Sequence, residues 1–313
     1  MDADSDESIG DAGRDDGAPR GRDSMRGLAR FFPPAPAPGA AGDAGLFGPG
    51  STAWRIARER LVMAGGPAAL LLQVAHPLVG EGVRAHSDFT TDPLRRLRGT
   101  LDAVLTVTFG DRAQVRAAAG HVARKHRPVT GTLARSSASV PAGTPYSATD
   151  PGLALWVFAT LVWTALQVRD RFLRPTTAEE RDAYYRDMTQ LAHLFGVTDA
   201  VLPEDYRGLE RYVARQFRET LDAGPAARLI ARQILAPEPP IIPAPLRPLP
   251  SILAAGLLPA RLREAYGLPW RRRERVVFAV LRRTTRLVVP VLPGSVRYWP
   301  HYRMARDRVR PER

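Results

Sequence analysis

The sequence contains no cysteine. That absence excludes disulfides, thiolate zinc sites, iron–sulfur clusters and cysteine nucleophiles. Any metal or cofactor iron is left to the six histidines or to oxygen ligands. Aromatic residues are few, 7% of the chain, and at most one run reads as a strand, which argues against an all-β protein. Lysine is nearly missing: among 45 basic residues only Lys125 is a lysine, and the rest are arginines. Against 32 acids this gives a net charge of +13. With alanine, proline and glycine also abundant, the arginine excess reads as the codon bias of a GC-rich genome more than as a phosphate-binding surface. No aromatic-interleaved basic patch, zinc-finger spacing or Gly-rich phosphate loop accompanies it. The expectation is no nucleic-acid partner.

Long unbroken apolar runs are lacking too. Leu61–Gly80 carries no formal charge, but Gly65, Gly66, Pro67, His76 and Pro77 interrupt it. Leu153–Val168 spans 16 residues, short of the roughly 20 needed to cross a bilayer. Both predict helices buried in a bundle and no membrane span. Peripheral membrane contact is left open.

The 313 residues, 44% of them apolar, can build a sizeable core in one large or two small domains. Residues 1–50 predict a disordered tail. Its first 16 positions hold seven acids and one base, followed by a basic piece at 20–30 and a Pro/Ala/Gly stretch from Pro33 to Gly50. No apolar segment follows a basic start, so the tail does not read as a secretory signal, and the expected compartment is the cytoplasm. The folded domain is expected at 51–305, with a mobile end at 306–313.

Within that domain the signals are helical. Asp92-Pro93 pairs an N-cap with a proline suited to the first turn, predicting a helix to Phe109. Asp111 with Gln114 predicts the next cap and a helix to His126, where Pro128 discourages continuation. Thr177 with Glu180 is a capping box for a helix ending at Gly196. A further helix after Pro203 carries Leu209, Tyr212, Val213 and Phe217 at helical spacing. The prolines between Pro237 and Pro250 predict an extended connection, with helices resuming at 257–266 and 274–289. No βαβ alternation and no internal repeat is present. The fold class is all-α: one large helical domain.

Four histidines, His76, His86, His121 and His126, fall within one stretch. His121 and His126 are five apart, about 140° round a helix, so they do not share a metal. No His-Glu-x-x-His or paired Glu-x-x-His pattern is present. A haem ligand needs no such spacing, only one imidazole at an apolar cavity. Arg96 and Thr100, four apart, share a helix face. The plainer alternatives are a surface His126 at a helix C-terminus and an ordinary helix face at Arg96/Thr100. His193 and His301, without supporting neighbours, read as structural or exposed.

The ordered set His76-Pro77, Gly82-Val83, His86-Ser87-Asp88-Phe89, Asp92-Pro93, Arg96, Thr100, Phe109-Gly110, His126, Val129, Gly131, Tyr146, Ala148, Asp150-Pro151 and Trp156-Val157 resembles the family of latex-clearing proteins and MpaB-type oxygenases. Weaker similarity continues through Leu258-Pro259, Arg263, Tyr266-Gly267-Leu268, Pro293, Arg297 and Pro300. The resemblance implies an all-helical protein with b-type haem in a buried cofactor pocket. It assigns His126 as the iron ligand and places Arg96 and Thr100 on the distal side. Glu81 is the nearest candidate for a distal glutamate. Gly99 stands where rubber-cleaving members carry a lysine. The implied activity is oxidation by dioxygen of a hydrophobic, isoprenoid-like small molecule, including cleavage of a C=C bond, at a pocket walled by helices 61–75 and 153–168. The alternative is a non-catalytic helical protein that binds haem or an apolar ligand.

Overall fold

The computed structural model describes residues 32–34, 36–87, 92–238 and 242–310. In chain order the elements are α1 (Thr52–Ala57), a 3-10 turn (Arg60–Gly65), α2 (Gly66–Ala75), α3 (Pro77–His86), α4 (Pro93–Phe109), α5 (Arg112–His126), β1 (Thr130–Thr132), β2 (Pro145–Ser147) and α6 (Pro151–Val168). A π turn (Arg169–Leu173) extends α6. There follow α7 (Ala178–Leu194), α8 (Tyr206–Glu219), α9 (Pro225–Leu235), α10 (Leu249–Leu257), α11 (Ala260–Ala265), α12 (Arg272–Val288), α13 (Gly294–Arg297) and α14 (Pro300–Arg308). The chain is helical, as expected, with one small antiparallel ribbon of β1 and β2 among the described residues.

The caps form where the side chains predicted them. Asp92 Oδ1 accepts from the Arg95 N–H at the start of α4. Asp111 and Gln114 exchange both bonds of a capping box on α5, and Thr177 and Glu180 do so on α7. Ser51 caps α1 by accepting from Trp54 N–H.

α2 and α6 form the centre of the core. Trp156 donates its Nε1–H to Leu72 O at 3.2 Å, and Gln73 Nε2 donates to Thr160 Oγ1 at 3.0 Å. Leu71, Leu72, Trp156, Val162 and Leu166 are fully enclosed. The tryptophan and glutamine bonds satisfy polar groups that would otherwise be costly in such a core. Pro151–Leu173 is long and apolar enough to cross a membrane by length and composition, but half of it is buried inside the protein. It behaves as a core helix. The other apolar run bends by 101° at His76, between α2 and α3. The bend divides it into two ten-residue helices.

Four sequence expectations change. Residues 1–31 of the expected tail lie outside the described residues, but 36–50 pack on the body: Phe47 is buried, and Ala40 N–H donates to Asp111 Oδ2. At the other end α14 runs to the buried Arg308, whose guanidinium donates to Asp43 O, Pro38 O and Phe109 O at 2.7, 3.2 and 3.0 Å. The 237–250 connection is not wholly extended. Pro239 and Pro240 lie outside the described residues, Ala244–Leu246 forms a 3-10 turn, and α10 begins at Leu249 with Pro250 in its first turn. Proline there lacks only an N–H that the first turn leaves unpaired anyway. The helix expected at 257–266 is interrupted, because Leu258 turns extended before Pro259.

Candidate active site

The α4–α5 hairpin sets the geometry. Its connection is short, Gly110-Asp111, so the two helices run antiparallel. Arg96 lies 14 residues before Gly110 and His126 16 after it. At 1.5 Å per residue these are about 21 and about 24 Å of helix, so the two residues come level at the open end of the hairpin. Their electrostatics agree. The His126 imidazole is held below its ordinary pKa, first by burial among neighbouring protein and then by the positive charge of Arg96. The imidazole is therefore neutral at pH 7. It makes no ring-nitrogen hydrogen bond to the described residues, and the residue is exposed to solvent.

Arg96 is half-buried, and its Nη1 donates to Thr100 Oγ1 at 2.5 Å. The Thr100 hydroxyl in turn donates to Arg96 O at 3.0 Å. The hydroxyl hydrogen is thus committed to its own helix, and the lone pair orients the guanidinium.

Glu81 sits on α3 and is buried, 7% exposed. Both carboxylate oxygens are taken by Arg84 at 2.6 and 3.1 Å. That pairing raises the Arg84 pKa. Burial, then the Glu81 charge, raises that of the neighbouring Tyr146 phenol. Glu81 is an ion-paired acid here, not a free base.

The ribbon ties these helices together. Val129 N–H donates to His126 O at 2.9 Å as the chain leaves α5. In the ribbon Gly131 faces Tyr146. A Cβ at Gly131 would lie 2.6 Å from the Tyr146 hydroxyl, so only glycine admits the ring. Tyr146 stacks edge-on with His86 at 6.2 Å, and His86 Nε2 is 3.1 Å from Thr130 O. The last turns of α3 and α5 are thereby joined. Sequence reasoning gave His86 and Tyr146 no such role, because neither pairing is visible in local spacing. Asp88 and Phe89, part of the resembling stretch, lie outside the described residues.

The other histidines go elsewhere. His76, at the α2–α3 bend, is 8% exposed, with Nδ1 unpartnered among the described residues and its pKa pushed down to about 4 by burial. It lines a separate cleft of about 530 Å³ with Tyr212, Arg215 and Gln216, which Arg96, Thr100 and His126 do not line. Across α3 it stands about 15 Å from His86, by helix rise. His301 is wholly buried, with no partner for either ring nitrogen among the described residues. His121 is exposed, and His193 bonds Asp199 at 2.8 Å. No group of three or more metal-ligating side chains occurs among the described residues.

One expectation fails in form. His126 does not face an enclosed apolar chamber walled by α2 and α6. Those helices bury their apolar faces in the core, and α6 reaches the His76 cleft through Gly152, Leu153 and Leu155. His126 stands instead at an open face framed by α3, α4, α5 and the ribbon.

Comparison with known proteins agrees with this architecture. Residues 54–287 match the family described as ER-bound oxygenase mpaB/B′/rubber oxygenase, catalytic domain. The uncharacterized proteins Mb2261 of Mycobacterium bovis and Rv2237 of Mycobacterium tuberculosis are each 31% identical over 238 residues, 71% of this chain and 88% of theirs. Among solved structures, latex clearing protein LCP in the closed state shares the fold with a TM-score of 0.53 at 16% identity, over 94% of this chain and 80% of its own. The chain thus belongs to the mpaB/B′ and rubber oxygenase catalytic-domain family, and its class of reaction is oxygenation of a small molecule.

Proposed function

We propose that this chain is a haem b-dependent oxygenase acting on a hydrophobic small molecule at the face framed by α3, α4 and α5, with His126 as the protein ligand to iron. One observation carries the proposal: His126 is exposed, has no ring-nitrogen partner among the described residues, is held toward its neutral form, and stands level with a permanent cation. Such a donor set suits a planar group held by one imidazole and bearing carboxylates. Haem b, when bound, supplies the iron at which dioxygen is activated.

The protein's share is positioning and charge. Burial and Arg96 keep a lone pair on His126, since protonation would abolish its donor capacity. Arg96 offers a fixed positive charge to a carboxylate or to developing negative charge. Thr100 is a positioning residue that aims Arg96. Glu81, locked by Arg84 on α3, is an ion-pair partner instead of a proton carrier. Oxidation of a C=C bond by dioxygen is the family-level expectation for the substrate step.

A second reading, a haem carrier without turnover, is favoured by the openness of His126. Absorption spectroscopy with iron analysis on protein from iron-supplied cells separates the two. The oxygenase reading expects a Soret band, its loss in His126→Ala but not in His76→Ala, and oxygen consumption with unsaturated lipid substrates. Haem without oxygen uptake establishes the carrier. A colourless protein that refuses hemin, or an unchanged spectrum in His126→Ala, overturns the ligand assignment.

A further inference from the structure

α12 has two apolar faces, and only one is used. The inner face holds Phe278, whose ring stacks edge-on with Phe172 at 5.2 Å and Trp270 at 5.4 Å. On the outer face Val276, Val280 and Leu287 are 54, 58 and 67% exposed. At 100° per residue these three lie about 160–200° from Phe278, on the opposite side. Val291 and Val296, just beyond the helix, are also exposed. Nine large apolar side chains are exposed among the described residues, and six of them fall between 276 and 296. This is a cluster and not the single scattered exposure normal for a surface.

The cluster is set among charges of one sign. Arg272, Arg273, Arg275, Arg282, Arg283 and Arg286 all lie on α12 and are exposed. The helix holds one acid, Glu274, whose carboxylate accepts from the Arg271 N–H. Among the described residues none of those six arginines has a carboxylate at ion-pair distance.

We propose that the outer face of α12 docks on an anionic lipid surface. Val276, Val280 and Leu287 would enter the boundary between headgroups and acyl chains while the arginines bind lipid phosphates. Charge complementarity selects this occupant. Of the six, Arg272, Arg273 and Arg283 flank the outer face at 100° per residue, so a second copy meeting it by two-fold symmetry would set three guanidinium groups against three. A nucleic acid would satisfy the arginines and leave the apolar stripe wet. An anionic bilayer answers both features, because arginine stems cover apolar surface while their forked heads reach phosphate. The helix lies flat in this arrangement and crosses nothing, since its inner face stays seated on the body.

The test uses the full chain with vesicles of phosphatidylcholine alone or with 30 mol% phosphatidylglycerol, in co-sedimentation at rising salt. Binding is expected to the anionic vesicles, at least tenfold weaker to the neutral ones, and to fall with salt. Val276→Ser/Val280→Ser/Leu287→Ser and Arg272→Gln/Arg273→Gln/Arg283→Gln should each lose at least tenfold. A second readout does not depend on those variants folding. With no native cysteine, Val280→Cys accepts a single polarity-sensitive dye. Its emission should shift to the blue on anionic vesicles, while a dye at Val201→Cys, exposed elsewhere, should not respond. No binding at low salt overturns the proposal, as does equal binding by the serine variant or a silent dye at 280. A lipid-free dimer that the serine variant dissociates would assign the face to a second copy instead.

Discussion

Arg96 and His126 stand level on antiparallel neighbours, and the guanidinium's charge presses the imidazole toward its neutral form. Arg96→Gln removes that pressure. The His126 pKa should move up toward the ordinary value of 6.5, read by NMR titration of its ring protons. Hemin affinity should then begin to fall at a higher pH in the variant than in the wild type, because a protonated ring cannot ligate. A pKa that stays put would show that the two side chains do not communicate.

His76 makes acid stability measurable. Its folded pKa of about 4 lies below the ordinary 6.5. Between those values the unfolded chain takes up a proton that the folded chain refuses, so stability rises with pH there. The contribution is whole above 6.5 and is lost as the pH falls toward 4, to an extent of about 3 kcal/mol at most. Urea unfolding at pH 4.5 and 7 should show a larger loss of stability at the lower pH in wild type than in His76→Gln. An equal slope in both would acquit His76.

Glu59 and Arg297 form a bidentate ion pair at 2.7 and 2.8 Å between residues 238 positions apart. The carboxylate is nearly sealed, with its side chain 3% exposed. Arg297→Met strands it, and the expected loss is about 3–5 kcal/mol in denaturant unfolding. Glu59→Met/Arg297→Met should recover most of that loss, since neither partner is then left unpaired. A double variant as unstable as the single would mean that packing, not charge, is what matters there.

Gly256 tests how α12 is seated. A Cβ there would fall 2.1 Å from Cε2 of Phe278. Gly256→Ala should therefore destabilise by about 1–3 kcal/mol through overpacking. Adding Phe278→Leu should relieve part of it. Thermal melts of both variants check this, and an unchanged midpoint in Gly256→Ala would mean α10 and α12 are not pressed together.

The helices that announce themselves carry a chemical signature at one end: Asp111 with Gln114, Thr177 with Glu180, Asp92 before Pro93. α10 lacked one, since it starts on Pro248-Leu249-Pro250, which reads as extended chain until tertiary packing decides. The ribbon escaped notice because each strand is three residues long and Thr130–Thr132 is exposed throughout, leaving no alternation to detect. His126, Arg96 and Thr100 were singled out by an ordered resemblance. Their shared end of a hairpin follows from counting residues either side of Gly110. Glu81's capture by Arg84 follows from an i, i+3 spacing that the sequence displays. The closure of α3 onto the ribbon through His86, Thr130 and Tyr146 is not local, and no pattern encodes it.

Arg308 gives the molecule a buckle. One guanidinium grips carbonyls at Pro38 and Asp43 and a third at Phe109, where α4 ends. Both the strap and the clasp lie beyond the 54–287 span shared with the oxygenase family. Cutting the gene back to that span would leave the closed end of the α4–α5 hairpin held by Trp54, which donates to Thr108 O, without the Arg308 grip.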